Sequence, residues 1–170
     1  MPAIDWDALA NEATDLLQRF LRIDTSNPPG NEEQACDWLA AVLSAEGISS
    51  RKLISAPGRA NLIADLDAPG SSELPLVLLN HTDVVPVESQ YWTVDAFAGV
   101  LKDGNLWGRG TIDMKGMGII ELVVMLTLKR LGVKLSRPLR FMAVADEEAG
   151  SDYGVEWPVS YTHLTLPTKA

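Results

Sequence analysis

The chain has 170 residues, 46% of them hydrophobic, and carries a formal net charge of −9. That length suits one domain with a real core, and the hydrophobic fraction is in the ordinary globular range, so disorder is not the default reading. The acidity argues against a nucleic-acid surface, which needs clustered Lys and Arg; the single cysteine excludes a disulfide framework; and no apolar run is long enough to span a bilayer. The N-terminus shows no basic segment followed by an apolar one, so a cytoplasmic protein is expected.

Leu9, Ala13, Leu16, Leu17, Phe20 and Leu21 recur at helical spacing and predict a first amphipathic helix from about Asp5 to Leu21. Ser26-Asn27-Pro28-Pro29-Gly30 breaks the pattern. Asn31 is placed to cap a second helix, with Gln34 completing a capping box and Glu32 and Glu33 in the positive first turn. Its buried stripe is Ala35, Trp38, Leu39, Val42 and Leu43, with Cys36 as a small core residue and Gly47 as the stop. Arg51 to Ser55 and Asn61 to Leu66 read as short strands, and Leu74 to Leu79 as a strand covered on both faces. The loop from Pro86 to Gly99 carries Tyr91, Trp92 and Phe97, read as anchors to the core in preference to a substrate entrance. A hairpin is expected about Asp103-Gly104-Asn105. Gly116 to Leu131 is a mostly apolar, buried helix ended by Gly132, and Leu139 to Ala145 is a buried strand feeding Asp146-Glu147-Glu148. The alternation implies an α/β layer structure with a mixed sheet.

From Val159 onward the sequence shows no continuity with what precedes it and resembles the translation of a transposon adapter used in preparing sequencing libraries. Native sequence is therefore expected over residues 1–157, with 158–170 as an adapter-derived tail. On that expectation His163 has no role and His81 is the only native histidine.

Three stretches carry the candidate chemistry. In an extended His81-Thr82-Asp83 segment, residues i and i+2 face the same side, so His81 and Asp83 can share one site. A carboxylate beside an imidazole holds its tautomer and raises its basicity as a ligand. The plainer alternative is a satisfied histidine at a strand end. Asp113 follows Gly108-Arg109-Gly110, and its carboxylate either caps the next helix or bridges two cations. Asp146-Glu147-Glu148 places three acids at a strand end, where they repel one another unless cations or partners compensate. Adjacent residues leaving a strand point in opposite directions, so one of Glu147 and Glu148 is expected to bind a metal while the other moves protons. A solvated acidic loop is the alternative.

Taken together, Asn80-His81-Thr82-Asp83-Val84-Val85-Pro86, Trp92 to Phe97, Trp107-Gly108-Arg109-Gly110-Thr111-Ile112-Asp113-Met114-Lys115-Gly116 and Asp146-Glu147-Glu148 resemble the M20 family of metallopeptidases and amidohydrolases. Ser26 to Glu32 also looks like that family's N-terminal loop. The resemblance implies a zinc-exopeptidase-like, three-layer α/β/α domain with a mixed sheet. It implies two Zn²⁺ per complete site, with Co²⁺ or Mn²⁺ as further ions that such ligands suit. His81 would bind one ion, Asp83 would orient His81, Asp113 would bridge both, Glu148 would bind the second and Glu147 would be general base and acid. The implied reaction is hydrolysis of an amide bond in a small N-acyl amino acid or peptide by metal-activated water. A cis peptide after the bridging residue, at Asp113–Met114, is part of the same pattern.

Ala96 stands where relatives often carry Pro, and Trp107 replaces a commoner Tyr. The family's further carboxylate ligand, its final histidine and the lid domain, through which the full-length form would dimerise, have no matching context here. The chain is thus expected to be the N-terminal part of a catalytic domain, inactive by itself; the alternative is a non-catalytic metal-binding α/β domain.

Overall fold

The computed structural model describes residues 3–157. The expected adapter-derived tail, 158–170, and His163 with it lie outside them. Helix α1 (Trp6–Leu21) starts at Asp5, whose side chain accepts a hydrogen bond from the Ala8 amide at 3.0 Å, as a helix N-cap does. Helix α2 (Glu32–Ala45) follows. The capping box expected there does not form. Asn31 makes no side-chain cap, and its amide donates instead to the Asp24 carbonyl at 3.4 Å. Glu32 is fully buried, so its carboxylate serves an interior partner and not the helix terminus.

Strands β1 (Ser50–Ala56), β2 (Arg59–Leu66) and β3 (Leu76–His81) come next, then the hairpin β4 (Val100–Lys102) and β5 (Asn105–Trp107), helix α3 (Lys115–Arg130) and strand β6 (Leu139–Val144). Asp103 and Gly104 turn the hairpin, both with positive φ, which suits the twist of a two-residue loop. The main sheet is mixed, in the order β1-β2-β6-β3; β2 runs antiparallel to both neighbours and β3 parallel to β6.

Alternation along the strands divides the apolar side chains between two faces. Leu62, Ala64, Phe141 and Ala143 join Phe20, Leu39, Leu43, Leu122 and Leu126 in the main core, so all three helices cover one face. The other face carries Ile63, Met142 and Val144, with Leu53, Val77 and Val155 against them. The described residues thus supply the sheet and one helical layer. Phe20 stacks on Trp38 with ring centroids 5.2 Å apart. Above Phe20 the fully buried Lys115 donates to the carbonyls of Ile23, at 2.6 Å, and Phe20, at 3.4 Å, satisfying the C-terminal end of α1. Burial pushes that ammonium down to about 8.

One strand departs from expectation. β3 is not covered on both faces, and it is also an edge strand, with β6 as its only ladder partner among the described residues. Leu76 and Leu79 are accordingly 53% and 42% exposed. The same pairing fixes the location of the site. His81 stands in register with Val144, so the segments after β3 and β6 leave the sheet side by side at their C-terminal ends. The N-terminal loop joins them there, with Asn27 donating its backbone amide to Val84 and Val84 donating to Thr25.

Candidate metal centre

The imidazole of His81 is nearly buried, at 5% exposure. Its Nδ1 lies 3.0 Å from the backbone carbonyl of Asp83 and 3.4 Å from the Asp83 carboxylate. A proton on Nδ1 donated to that carbonyl leaves Nε2 facing outward as the ligand atom. Nε2 is 3.2 Å from Asp113 Oδ1 and 3.7 Å from Glu147 Oε2. Burial opposes a charge on this ring, but the hydrogen bonds and negative charge of Asp83, with Asp113 beyond, outweigh it and raise the imidazole to about 9.

Asp83 is fully buried and accepts on both oxygens. Asn27 Nδ2 donates to Oδ2 at 2.8 Å, the Glu148 amide to Oδ2 at 3.0 Å and the Glu147 amide to Oδ1 at 3.1 Å. Burial alone would raise this acid, yet His81, Asn27 and the two amides hold it below its ordinary value.

Asp113 does not cap α3: the N-cap position is Met114, with no side-chain cap bond, and the Asp113 carboxylate, 77% exposed, turns toward His81. The Asp113–Met114 peptide is cis, as the family resemblance implied, and so are Asn27–Pro28 and Pro28–Pro29. Beside Asp113 lies a cavity of about 570 Å³ lined by Tyr91, Trp92, Leu106, Trp107, Arg109 and Ile112. The aromatic loop is anchored, because the Arg109 guanidinium lies 5.3 Å over the Trp92 ring and the Arg109 amide donates to Ala96. It also walls this cavity.

The segment after β6 is a turn and not a continued strand. Asp146 takes a left-handed backbone, φ 64 and ψ 22, and residues Glu147–Ala149 form a single 3₁₀ turn. This corrects the expectation that Glu147 and Glu148 point in opposite directions. Ligand atoms of His81, Glu147 and Glu148 all lie within 4.8 Å of one another. Burial raises the Glu148 carboxyl; His81 opposes that shift, and Asp113, Asp83 and Glu147 add to it. One imidazole and three acids converge here with no Lys or Arg ion pair among the described residues to offset Asp113, Glu147 or Glu148. Nitrogen and carboxylate donors in such numbers fit a divalent cation such as Zn²⁺.

The remaining acid of the 146–148 run, Asp146, is turned inward. Its Oδ1 accepts from Asn27 Nδ2 at 2.9 Å and from Arg59 Nη2 at 2.7 Å, and its Oδ2 from the Tyr153 amide at 3.1 Å. Arg59 in turn donates to Glu32 through Nε at 2.7 Å and Nη2 at 2.8 Å. Sequence reading alone missed Asn27, Glu32 and Arg59 as parts of the site. The available signal was an Arg opening the apolar strand 59–66 and an acid at the start of a helix next to the Pro-Pro-Gly break.

Comparison with known proteins identifies the family. A profile of peptidase family M20/M25/M40 matches residues 77–166, which include His81, Asp113 and the 146–148 turn. Aminoacylase-1 of Sus scrofa is 35% identical over 144 residues, 83% of this chain and 35% of that protein. A probable succinyl-diaminopimelate desuccinylase of Staphylococcus epidermidis is 34% identical over 142 residues, 83% of this chain and 34% of its own length. In fold, the chain is similar to an M20 family metallo-carboxypeptidase from Sulfolobus solfataricus, with a TM-score of 0.73 at 22% identity over 82% of this chain and 32% of that one. The chain spans about a third of the length of the curated relatives it matches. With the profile covering over half the chain, the chain belongs to peptidase family M20/M25/M40, a family of hydrolases.

Proposed function

We propose that this chain carries the first part of a two-metal hydrolase site that cleaves amide bonds in N-acyl amino acids or small peptides. The observation that carries the reading is the approach of ligand atoms of His81, Glu147 and Glu148 within 4.8 Å of one another, with Asp113 at 3.2 Å from His81 Nε2. His81, Asp113 and Glu148 are the residues that would hold the ions, with Asp113 able to serve both because a carboxylate has two oxygens to share. The chemistry such ions supply is polarisation of an amide carbonyl and acidification of a water molecule.

Glu147 is the proton carrier. Its side chain is 57% exposed and its Oε2 is 3.7 Å from His81 Nε2, so it borders the site without being buried in it. From there Oε2 takes a proton from the attacking water and delivers it to the leaving amine. Asp83 binds no substrate; it fixes the His81 ring and holds the backbone from which Glu147 and Glu148 project. Support for the substrate class comes from the matched relatives, which are named as an aminoacylase and a probable desuccinylase.

Turnover is assigned to the whole protein, and metal binding is the property to test on this chain. A Zn²⁺ titration of the metal-free chain against a chromophoric chelator is expected to show uptake that His81→Ala lowers. No uptake would overturn the metal reading. A longer form of the protein that bound zinc yet cleaved neither N-acetyl amino acids nor dipeptides would overturn the substrate assignment.

A further inference from the structure

Behind Asp83 the chain spends three buried ionisable side chains on something other than binding a ligand. Glu32 at the start of α2 is fully buried, Arg59 at the start of β2 is 8% exposed and Asp146 after β6 is 4% exposed. Asn27 of the N-terminal loop, 4% exposed, completes the group. Its single Nδ2 donates to two carboxylates at once, Asp83 at 2.8 Å and Asp146 at 2.9 Å. All three guanidinium nitrogens of Arg59 are engaged: Nε and Nη2 on Glu32, Nη2 on Asp146, and Nη1 on the Pro29 carbonyl at 3.1 Å.

Stability is a poor reason for this cluster. Desolvating ions costs several kcal/mol each, of order what their attraction returns, and apolar replacements of similar volume are often neutral or better. Geometry offers a better reason. Asp146 is the residue whose left-handed backbone turns the chain after β6, and its carboxylate is held on three sides by Arg59, Asn27 and the Tyr153 amide. That turn delivers the Glu147 and Glu148 amides to Asp83. Glu32 fixes the guanidinium and also accepts from the Asp146 amide at 3.3 Å.

We infer that Asn27 and Arg59 are positioning residues of the metal centre, Asn27 setting the Asp83 carboxylate and Arg59, clamped by Glu32, setting the Glu147–Glu148 turn through Asp146. The inference rests on the metal reading above and extends it to residues that touch neither ion nor substrate. The Ser-Asn-Pro-Pro-Gly-Asn-Glu segment thereby acquires a role: it carries Asn27 and Glu32 to the back of the site from opposite sides of one turn.

The test uses two variants of the full chain, Asn27→Ala and the double variant Glu32→Gln with Arg59→Met, which removes the Glu32–Arg59 pair and leaves Asp146 held by Asn27 and the Tyr153 amide. Two quantities are read: Zn²⁺ affinity by chelator competition, at a temperature where circular dichroism shows each variant folded, and amide hydrogen exchange in the metal-free state. Affinity is expected to fall by about 10–100-fold, the range for partners that orient metal ligands. Exchange at Glu147 and Glu148 is expected to quicken while the Thr82 amide, bonded to Val144 at 2.8 Å, keeps its protection. Native affinity with native protection at the turn would overturn the inference, as would equal loosening at Thr82, which marks a general structural role. A wild-type chain that takes up no zinc overturns the metal reading instead, and the exchange pattern then decides whether the network holds the turn.

Discussion

Asp83 and Glu148 are joined by a hydrogen bond from the Glu148 amide to Oδ2 at 3.0 Å, and the other oxygen of the same carboxylate accepts the Glu147 amide at 3.1 Å. The end of β3 is thereby clamped to the turn after β6, across 65 residues of sequence. Asp83→Asn tests the clamp. An amide offers one acceptor oxygen where the carboxylate offers two, and its NH₂ must face one of three groups that are themselves donors. At least one buried N–H loses its partner, at a cost of about 1–3 kcal/mol in urea unfolding. Zinc affinity should fall with it by about 10–100-fold. Unchanged affinity in the folded variant would show that His81 is held by the backbone carbonyl alone.

Glu147→Ala and His81→Ala separate proton transfer from ligation. In a full-length protein, Glu147→Ala is expected to leave zinc content nearly intact and to lower kcat by about 10²-fold or more, the contribution of a positioned general base. His81→Ala should instead lower the zinc stoichiometry measured by atomic absorption. Equal zinc loss in both variants would make Glu147 a ligand and defeat the division of roles. The test matters because the 3₁₀ turn presents both glutamates to the same side, so direction alone does not tell base from ligand.

Much of the fold was legible because it depends on short-range patterns. The period of Leu9 to Leu21 located α1, Gly47 and Gly132 marked the ends of two helices, and Asp103-Gly104 marked the hairpin. His81, Asp113 and Glu148 were legible because each closes or follows an apolar run or a glycine turn. Strand order was not. The apolar run from Leu74 to Leu79 bears on which faces of the strand are covered, not on which strands lie beside it in the sheet. The Glu32–Arg59–Asp146 cluster was hidden for another reason. Its members lie 27 and 87 residues apart, and each alone looks like an ordinary surface charge. Asp146 misled most: in the sequence it is one of three equivalent acids, and only its left-handed backbone sends it inward.

Gly116→Ala probes how Asp113 is held. Gly116 lies in the first turn of α3, and a Cβ there would collide with the carbonyl oxygen of Thr111, two residues before Asp113. A backbone oxygen cannot swing away as a side chain does, so the loop carrying Asp113 must shift. Alanine normally stabilises a helix interior relative to glycine by about 1 kcal/mol. Here the substitution is expected to destabilise the chain and weaken zinc binding. A gain in stability with native zinc affinity would show that the Thr111–Asp113 loop yields freely.

Arg130 predicts a pH dependence remote from the metal. At the end of α3 it donates to Glu12 of α1 through Nη1 and Nη2, both at 2.7 Å, and to Glu46 after α2 through Nη2 at 2.6 Å and Nε at 3.1 Å. One guanidinium thus ties all three helices at a partly exposed point. The bond from Arg130 outweighs the small desolvation of Glu46 and holds its carboxyl below the ordinary 4.5. A carboxyl with a depressed folded value adds stability that is complete above its unfolded value and is lost as pH falls through the folded one. Wild type should therefore exceed Arg130→Met by about 1 kcal/mol or less near neutral pH, the scale of a solvent-screened pair. The difference should hold down to the unfolded value of 4.5 and fade below it. Urea unfolding of both proteins across that range measures it, and 1 M salt at neutral pH should shrink the gap in the same way. A difference that persisted in strong acid would assign the effect of Arg130 to packing of its methylenes on α1 and α2, not to its charge.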